Sequence, residues 1–222
     1  MRMLAVFTKG PEVRFVSHLD LQRLFQRAFR RAKLPLAYSQ GFNPHPLVSF
    51  ATALSVGMTS RGEYLDVTLT REMTPEEFIS AVSPELPKGV EIVRAADMGE
   101  SRKSLTSAMR SARYVSRVRF SEPVSRDALE AACRDLLSGE IVVMKKTKGG
   151  IKPTDIRPMV RELGVESADG ASAVISLCGV LSAEGGLNPD MLLGELYKRL
   201  GVTASAETER VEIEMDMSGL TA

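Results

Sequence analysis

The chain has 222 residues, 44% hydrophobic and 26% charged, with a net charge of +1, two cysteines, two histidines and no tryptophan. This composition describes a soluble globular protein of one large or two small domains, and no run approaches the roughly 20 apolar residues of a membrane span. Met1 to Lys9 is too short for a signal peptide and lacks its cleavage pattern, so a cytoplasmic protein is expected, with Cys133 and Cys178 as small buried hydrophobes in a reducing compartment.

Met3 to Lys9 alternates as a strand. Ser17 then reads as the N-cap of a helix with Asp20 in capping-box position. Leu21, Leu24, Phe25, Ala28, Phe29 and Ala32 fall at helical period and form one apolar stripe. The opposite face carries Gln22, Arg23, Gln26, Arg27, Arg30, Arg31 and Lys33, with Asp20 the only local acid. Pro35 stops this helix. Leu36-Ala37-Tyr38 is expected as a short strand running into the loop Gly41-Phe42-Asn43-Pro44-His45-Pro46. Glu63 to Thr70 is a further strand, Thr74-Pro75-Glu76-Glu77 opens a helix through Val82, and Val90 to Ala95 closes as a strand.

Gly99 to Ala112 has no strong period and reads as a linker or short joining helix. The order then restarts with a strand over Tyr114 to Phe120 and a helix capped by Ser125 and ended by Gly139. Strands follow over Ile141 to Lys145 and Ala173 to Leu181, then a helix from Asn188-Pro189 to Gly201 and a last strand over Glu209 to Met217. This spells β-α-β-β-α-β twice. The expected fold is therefore α+β, two tandem ferredoxin-like domains with antiparallel sheets over 1–98 and 113–222, with a linker over 99–112.

Charge is distributed in blocks, with nets of +6, −5, +7 and −7 over residues 1–50, 51–100, 101–162 and 163–222. A chain that is neutral overall yet carries two basic blocks points to local anionic contacts. The first block holds the arginine face. The second holds Lys145, Lys146, Lys148, Lys152 and Arg157 on a flexible Gly-containing finger offset only by Asp155, where lysines can neutralise phosphates and Arg157 can bind one bidentately.

Arg23, Arg27, Arg30 and Arg31 with Lys145, Lys146, Lys148 and Lys152 are thus expected as an anion-binding surface. Tyr38, Phe42 and His45 are available to stack on unpaired bases, and Phe42, Asn43 and His45 are presented by a proline-stiffened loop. His18 and Asp20 order the helix start. No H-x-x-x-H or C-x-x-C spacing, P-loop or G-x-G-x-x-G is present, so no metal or cofactor is expected and binding is favoured over catalysis.

The segments RFVSHLDLQRLFQRAFRRAKLPLAYSQGFNPHP, LSVG followed by GEYLDV, and KPTDIRP resemble an uncharacterised bacterial radical-SAM-linked family, whose members are encoded beside or fused behind a radical SAM protein. The resemblance covers nearly the whole chain and implies a radical SAM protein as partner. A CxxxCxxC triplet is absent, so any iron–sulfur chemistry would belong to that partner. The architecture is also similar, at the level of fold, to tandem ferredoxin-like CRISPR RNA endonucleases that cut RNA without metal.

The function expected is an RNA-binding accessory module presenting structured RNA, tRNA or rRNA, to a radical SAM modification partner, without DNA specificity. The alternatives are a metal-independent endoribonuclease using His18 and His45, and an adaptor docking an acidic protein.

Overall fold

A computed structural model describes residues 1–99, 103–147 and 150–218. The fold is mixed α+β with mostly antiparallel strand pairing. The chain divides into two compact units, Met1–Met109 with Glu212–Ala222, and Arg110–Val211. Among the described residues no helix is long and apolar enough to cross a membrane.

The first unit runs β1 (Arg2–Lys9), α1 (His18–Arg31), β2 (Val48–Phe50), β3 (Thr59–Thr68), α2 (Pro75–Val82) and β4 (Ile92–Asp97). β1 pairs antiparallel with both β3 and β4, and β2 pairs antiparallel with β3, giving the spatial order β4-β1-β3-β2. The second strand falls later than the sequence suggests. Leu36 and Tyr38 make only isolated bridges, to Leu69 and Pro46, while Val48–Phe50 forms the ladder with β3.

The apolar stripe of α1 does what its period predicts. Leu21, Phe25, Ala28 and Phe29 are buried, and Leu24 and Ala32 pack against the same core. Phe25 is the hub of that core, with ring centroids 4.7 Å from Phe7, 5.7 Å from Phe29 and 5.7 Å from Phe50. Such aromatic pairs add about 0.5–1.5 kcal/mol each beyond their buried area. α2 carries the full capping box between Thr74 and Glu77.

Helix α1 ends before the proline reaches it. The Leu34 amide bonds to the Phe29 carbonyl and the Lys33 amide to the Arg30 carbonyl, with Lys33 at φ 54°, which is a Schellman ending. Lys33 is the only described non-glycine residue with positive φ. Relieving it by Lys33→Gly should stabilise the unit by about 0.5–1 kcal/mol, the αL strain of a side chain less glycine's larger entropy cost. A thermal denaturation midpoint that stays level or falls would contradict this.

After a single turn, α3 (Leu105–Ala108), the second unit runs β5 (Met109–Phe120), α4 (Arg126–Ser138), β6 (Val142–Thr147), β7 (Gly150–Asp155), β8 (Val160–Ala168), β9 (Ser172–Ser182), β10 (Gly185–Gly186), α5 (Pro189–Leu200) and β11 (Ala204–Met215). Strand conformation therefore begins inside the stretch 99–112 expected to join the halves. β8 and β5 flank β9, and β11 lies beyond β5. Leu129, Cys133 and Leu136 of α4 and Leu192, Leu193 and Leu196 of α5 are buried. Both cysteines are free and buried, and burial pushes the Cys133 thiol up to about 11, which removes its nucleophilic thiolate at neutral pH.

The strand expected over Ile141 to Lys145 does not join this sheet. β6 pairs only with β7, as a separate two-stranded ribbon, and the place beside β9 is taken by β8. β8 escapes a reading by alternation because its register shifts between Val160 and Glu162 and again between Val165 and Ser167. Each bulge flips the inside-outside phase of the side chains that follow.

Candidate nucleic-acid interface

On α1 the four predicted arginines are all exposed, but they are not equivalent. Ser17 Oγ accepts the Asp20 amide and donates to its carboxylate, and Asp20 Oδ1 receives Arg23 Nη1 at 2.9 Å. Those hydrogen bonds hold the Asp20 carboxyl below its ordinary range. Arg31 Nε pairs at 2.7 Å with Glu85, which is distant in sequence. The side chains of Arg27 and Arg30 make no hydrogen bond or ion pair among the described residues. They are two free guanidinium groups on one helix face.

The predicted aromatic loop is a small hairpin. The Ser39 amide bonds to the His45 carbonyl, the Leu47 amide to the Ala37 carbonyl, and the Ser39 hydroxyl accepts the His45 amide at 3.1 Å. Phe42 stands at its tip beside Gly41, whose φ is 128°, a conformation that needs glycine. Phe42 is 111% exposed and Tyr38 42%, so both rings are solvated. Asn43 and His45 are exposed too. His45 Nδ1 lies 3.1 Å from the Ser39 hydroxyl and 3.3 Å from the Asn43 carbonyl.

His18 is a different kind of histidine. It is half-buried, its ring lies edge-on to Phe50 at 5.5 Å, and its Nε2 lies 3.1 Å from the Gln22 amide nitrogen. Burial first and the Lys9 charge second lower its pKa, so it is neutral at pH 7 and accepts from Gln22. It packs the start of α1.

The second cluster sits on the β6–β7 ribbon. Lys145 stands directly across from Lys152, and Lys146 across from Ile151. No acid pairs with these three lysines among the described residues. Lys148 lies outside the described residues. Lys145, Lys146 and Lys152 therefore stand on a two-stranded arm. The face opposite Lys145 and Lys152 carries Lys146 together with Val142, Met144 and Ile151, exposed by 50%, 62% and 68%.

Arg157, expected to grip a phosphate, is committed to the base of this arm. Its Nε donates to the Leu137 carbonyl at 2.7 Å and its Nη1 to the Val160 carbonyl at 3.1 Å. Asp155 Oδ1 accepts the amides of Ile141 and Arg157, each at 2.9 Å. The Asp-Ile-Arg-Pro motif is a clasp that holds the root of the arm.

One charged pair is invisible in the sequence. Asp66, at a solvent-facing position of an alternating strand, has a side chain only 5% exposed and pairs at 2.6 Å with Arg2. No motif spacing links residues so far apart. Among the described residues, no group of three or more His, Cys, Asp or Glu is placed to hold a metal ion.

The family described as "Uncharacterized protein conserved in bacteria (DUF2344)" matches over residues 2–189. No curated protein matches the chain. Among solved structures, a chain of a Cbf5-Nop10-Gar1 complex superimposes with a TM-score of 0.54 at 12% identity, over 94% of this chain and 48% of that one. A chain of an H/ACA RNP bound to a substrate RNA containing 2'-deoxyuridine gives 0.54 at 11% identity, over 95% and 47%. The archaeal box H/ACA sRNP Nop10-Cbf5 complex gives 0.50 at 12% identity, over 94% and 47%. This chain thus spans about half the length of the chains it matches, and identities this low speak for a shared fold alone.

Proposed function

The chain belongs to this bacterial family, and from that premise we propose that it is an RNA-binding accessory module that holds structured RNA, tRNA or rRNA, for a radical SAM partner to modify. We read its two halves as tandem ferredoxin-like domains, 1–98 and 113–222, joined through 99–112. The strand orders β4-β1-β3-β2 and β11-β5-β9-β8 support that reading, with β6–β7 an insertion ahead of the second strand. One neighbour in fold comes from an H/ACA RNP bound to a substrate RNA, which agrees with an RNA role.

The observation that carries the proposal is Lys145 facing Lys152 across the ribbon. Like charges directly opposite in a strand pair are destabilising, and a bound phosphate between them removes the penalty. Arg27 and Arg30 add free cations on the first unit, and Phe42 and Tyr38 add stacking surfaces beside them in sequence.

Lys145→Glu separates this reading from a merely solvated arm. It creates a cross-strand Glu–Lys152 pair, so the unfolding midpoint should hold or rise, by up to about 1 kcal/mol. Affinity for structured RNA, by gel shift or filter binding, should fall in the same protein. An unchanged affinity would remove the arm from the interface.

A second reading has its own observation. Val142, Met144 and Ile151 form an exposed apolar face beside the lysines, which suits an adaptor docking an acidic protein. Purified protein with no affinity for RNA would favour it.

A further inference from the structure

We propose that a pocket beside the His45 loop receives a single unstacked nucleobase carrying a ring N–H, uracil or guanine, from the bound RNA. The inference rests on the RNA reading above and assigns its base-reading site. The pocket has a volume of about 330 Å³ and is lined by Arg2, His45, Pro46, Ser49, Asp66 and Thr68, among others. That lies at the lower end of the range for small-ligand sites, the size of one small group.

Its polar floor is built. β3 turns Leu65 and Val67 into the core, and the pleat sends Asp66 and Thr68 to the opposite face. Asp66 Oδ2 receives Arg2 Nη2 at 2.6 Å, and Arg2 Nη1 is held from its other side by the Lys103 carbonyl at 2.8 Å. A buried carboxylate is tolerated only when so paired. Asp66 Oδ1 has no hydrogen-bond partner among the described residues.

The floor selects its ligand by charge and by donor pattern. The Arg2 guanidinium is offset by Asp66, so the pair offers no net charge to a phosphate. The acceptor without a partner is Asp66 Oδ1, and the Ser49 and Thr68 hydroxyls and the His45 ring line the same pocket and can serve in either sense. A neutral planar group with N–H donors fits. Uracil N3 and guanine N1 place a hydrogen at the centre of the Watson–Crick edge, where adenine N1 and cytosine N3 place a lone pair that a carboxylate repels and donate only from an amino group at the corner, so a central acceptor prefers uracil and guanine. Pro46, itself buried, supplies an apolar wall. Reading an unpaired base by its Watson–Crick edge is the usual mode of sequence-specific RNA recognition.

The test uses the full chain and single-stranded heptamers of adenosine with U, G, C or A at the centre, read by fluorescence anisotropy. The U and G heptamers should bind at least about tenfold tighter than the C and A ones, the discrimination of one good base contact. Asp66→Asn and Ser49→Trp should erase that difference. Arg27→Glu with Arg30→Glu should weaken all four alike. Ser49 is exposed, its side chain makes no hydrogen bond among the described residues, and it stands directly across from Asp66, so Ser49→Trp covers the pocket while leaving both residues of the ion pair in place and decides the matter if Asp66→Asn misfolds. Equal binding of all four heptamers, or a difference that survives Ser49→Trp, overturns the pocket and leaves the RNA reading standing. Binding of none of them overturns the pocket, and absence of binding to structured RNA by the same protein overturns the RNA reading as well.

Discussion

Reversing both free guanidinium groups of α1, Arg27→Glu with Arg30→Glu, should lower affinity for structured RNA by about 10- to 100-fold near 0.1 M salt and reduce the log–log salt slope by about 2. The slope matters more than the affinity. A cation on a phosphate releases a condensed counterion, so removing one such cation takes about one unit from the slope. Weaker binding caused by misfolding would change the unfolding transition as well.

Both residues are exposed and partnerless among the described residues, on the face opposite the buried stripe, so the core should be untouched. Arg31 supplies the internal comparison. Its guanidinium is already engaged by the Glu85 carboxylate and carbonyl, so Arg31→Gln should change the slope less than Arg27→Gln. Equal effects at the two positions would overturn the distinction between the free and the paired arginine, and a slope that does not move in the double reversal would take α1 out of the interface.

The same contrast explains what could be read from the chain and what could not. The stripe of α1, the Ser17 cap and the Thr74–Glu77 capping box are local patterns, complete within a few residues, and they stand where the sequence puts them. Partners far apart in the chain are different. Nothing near Arg31 announces Glu85, and nothing near Arg157 announces the Leu137 and Val160 carbonyls. The basic residues of a composition are thus an upper limit on the cations a surface can offer.

Strand pairing is illegible for a related reason. Val142 to Lys146 has a strand's character and does form one, but which strand it pairs with depends on the bulged β8, whose alternation is broken twice. Asp66 escapes the pattern for a third reason. Alternation says which face a side chain takes, and it does not say whether that face is covered. Leu4, on the same face as Arg2, is 1% exposed, so this face of β1 is covered as well.

The arm's root gives the largest stability effect. Two-stranded ribbons are marginal alone in water, so β6–β7 depends on how its ends are tied. Buried Ile141, Val143 and Ile156 supply apolar anchorage, and Asp155 Oδ1 ties both ends by accepting the amides of Ile141 and Arg157. Asp155→Ala leaves both amides without that acceptor. Water reaches the Arg157 amide more readily than the part-buried Ile141 amide, so the cost should be about 2 kcal/mol in place of the full sum for two buried donors. The expected result is a lower denaturant midpoint, faster hydrogen exchange at the Ile141 and Arg157 amides, and new protease cleavage within 142–155. Asp155→Asn keeps a neutral acceptor at the same place and should recover part of the loss. RNA affinity should fall with the fraying arm in Asp155→Ala and return with Asp155→Asn. If the amides of Ile141 and Arg157 exchange no faster in Asp155→Ala, the carboxylate is not what holds the arm in place.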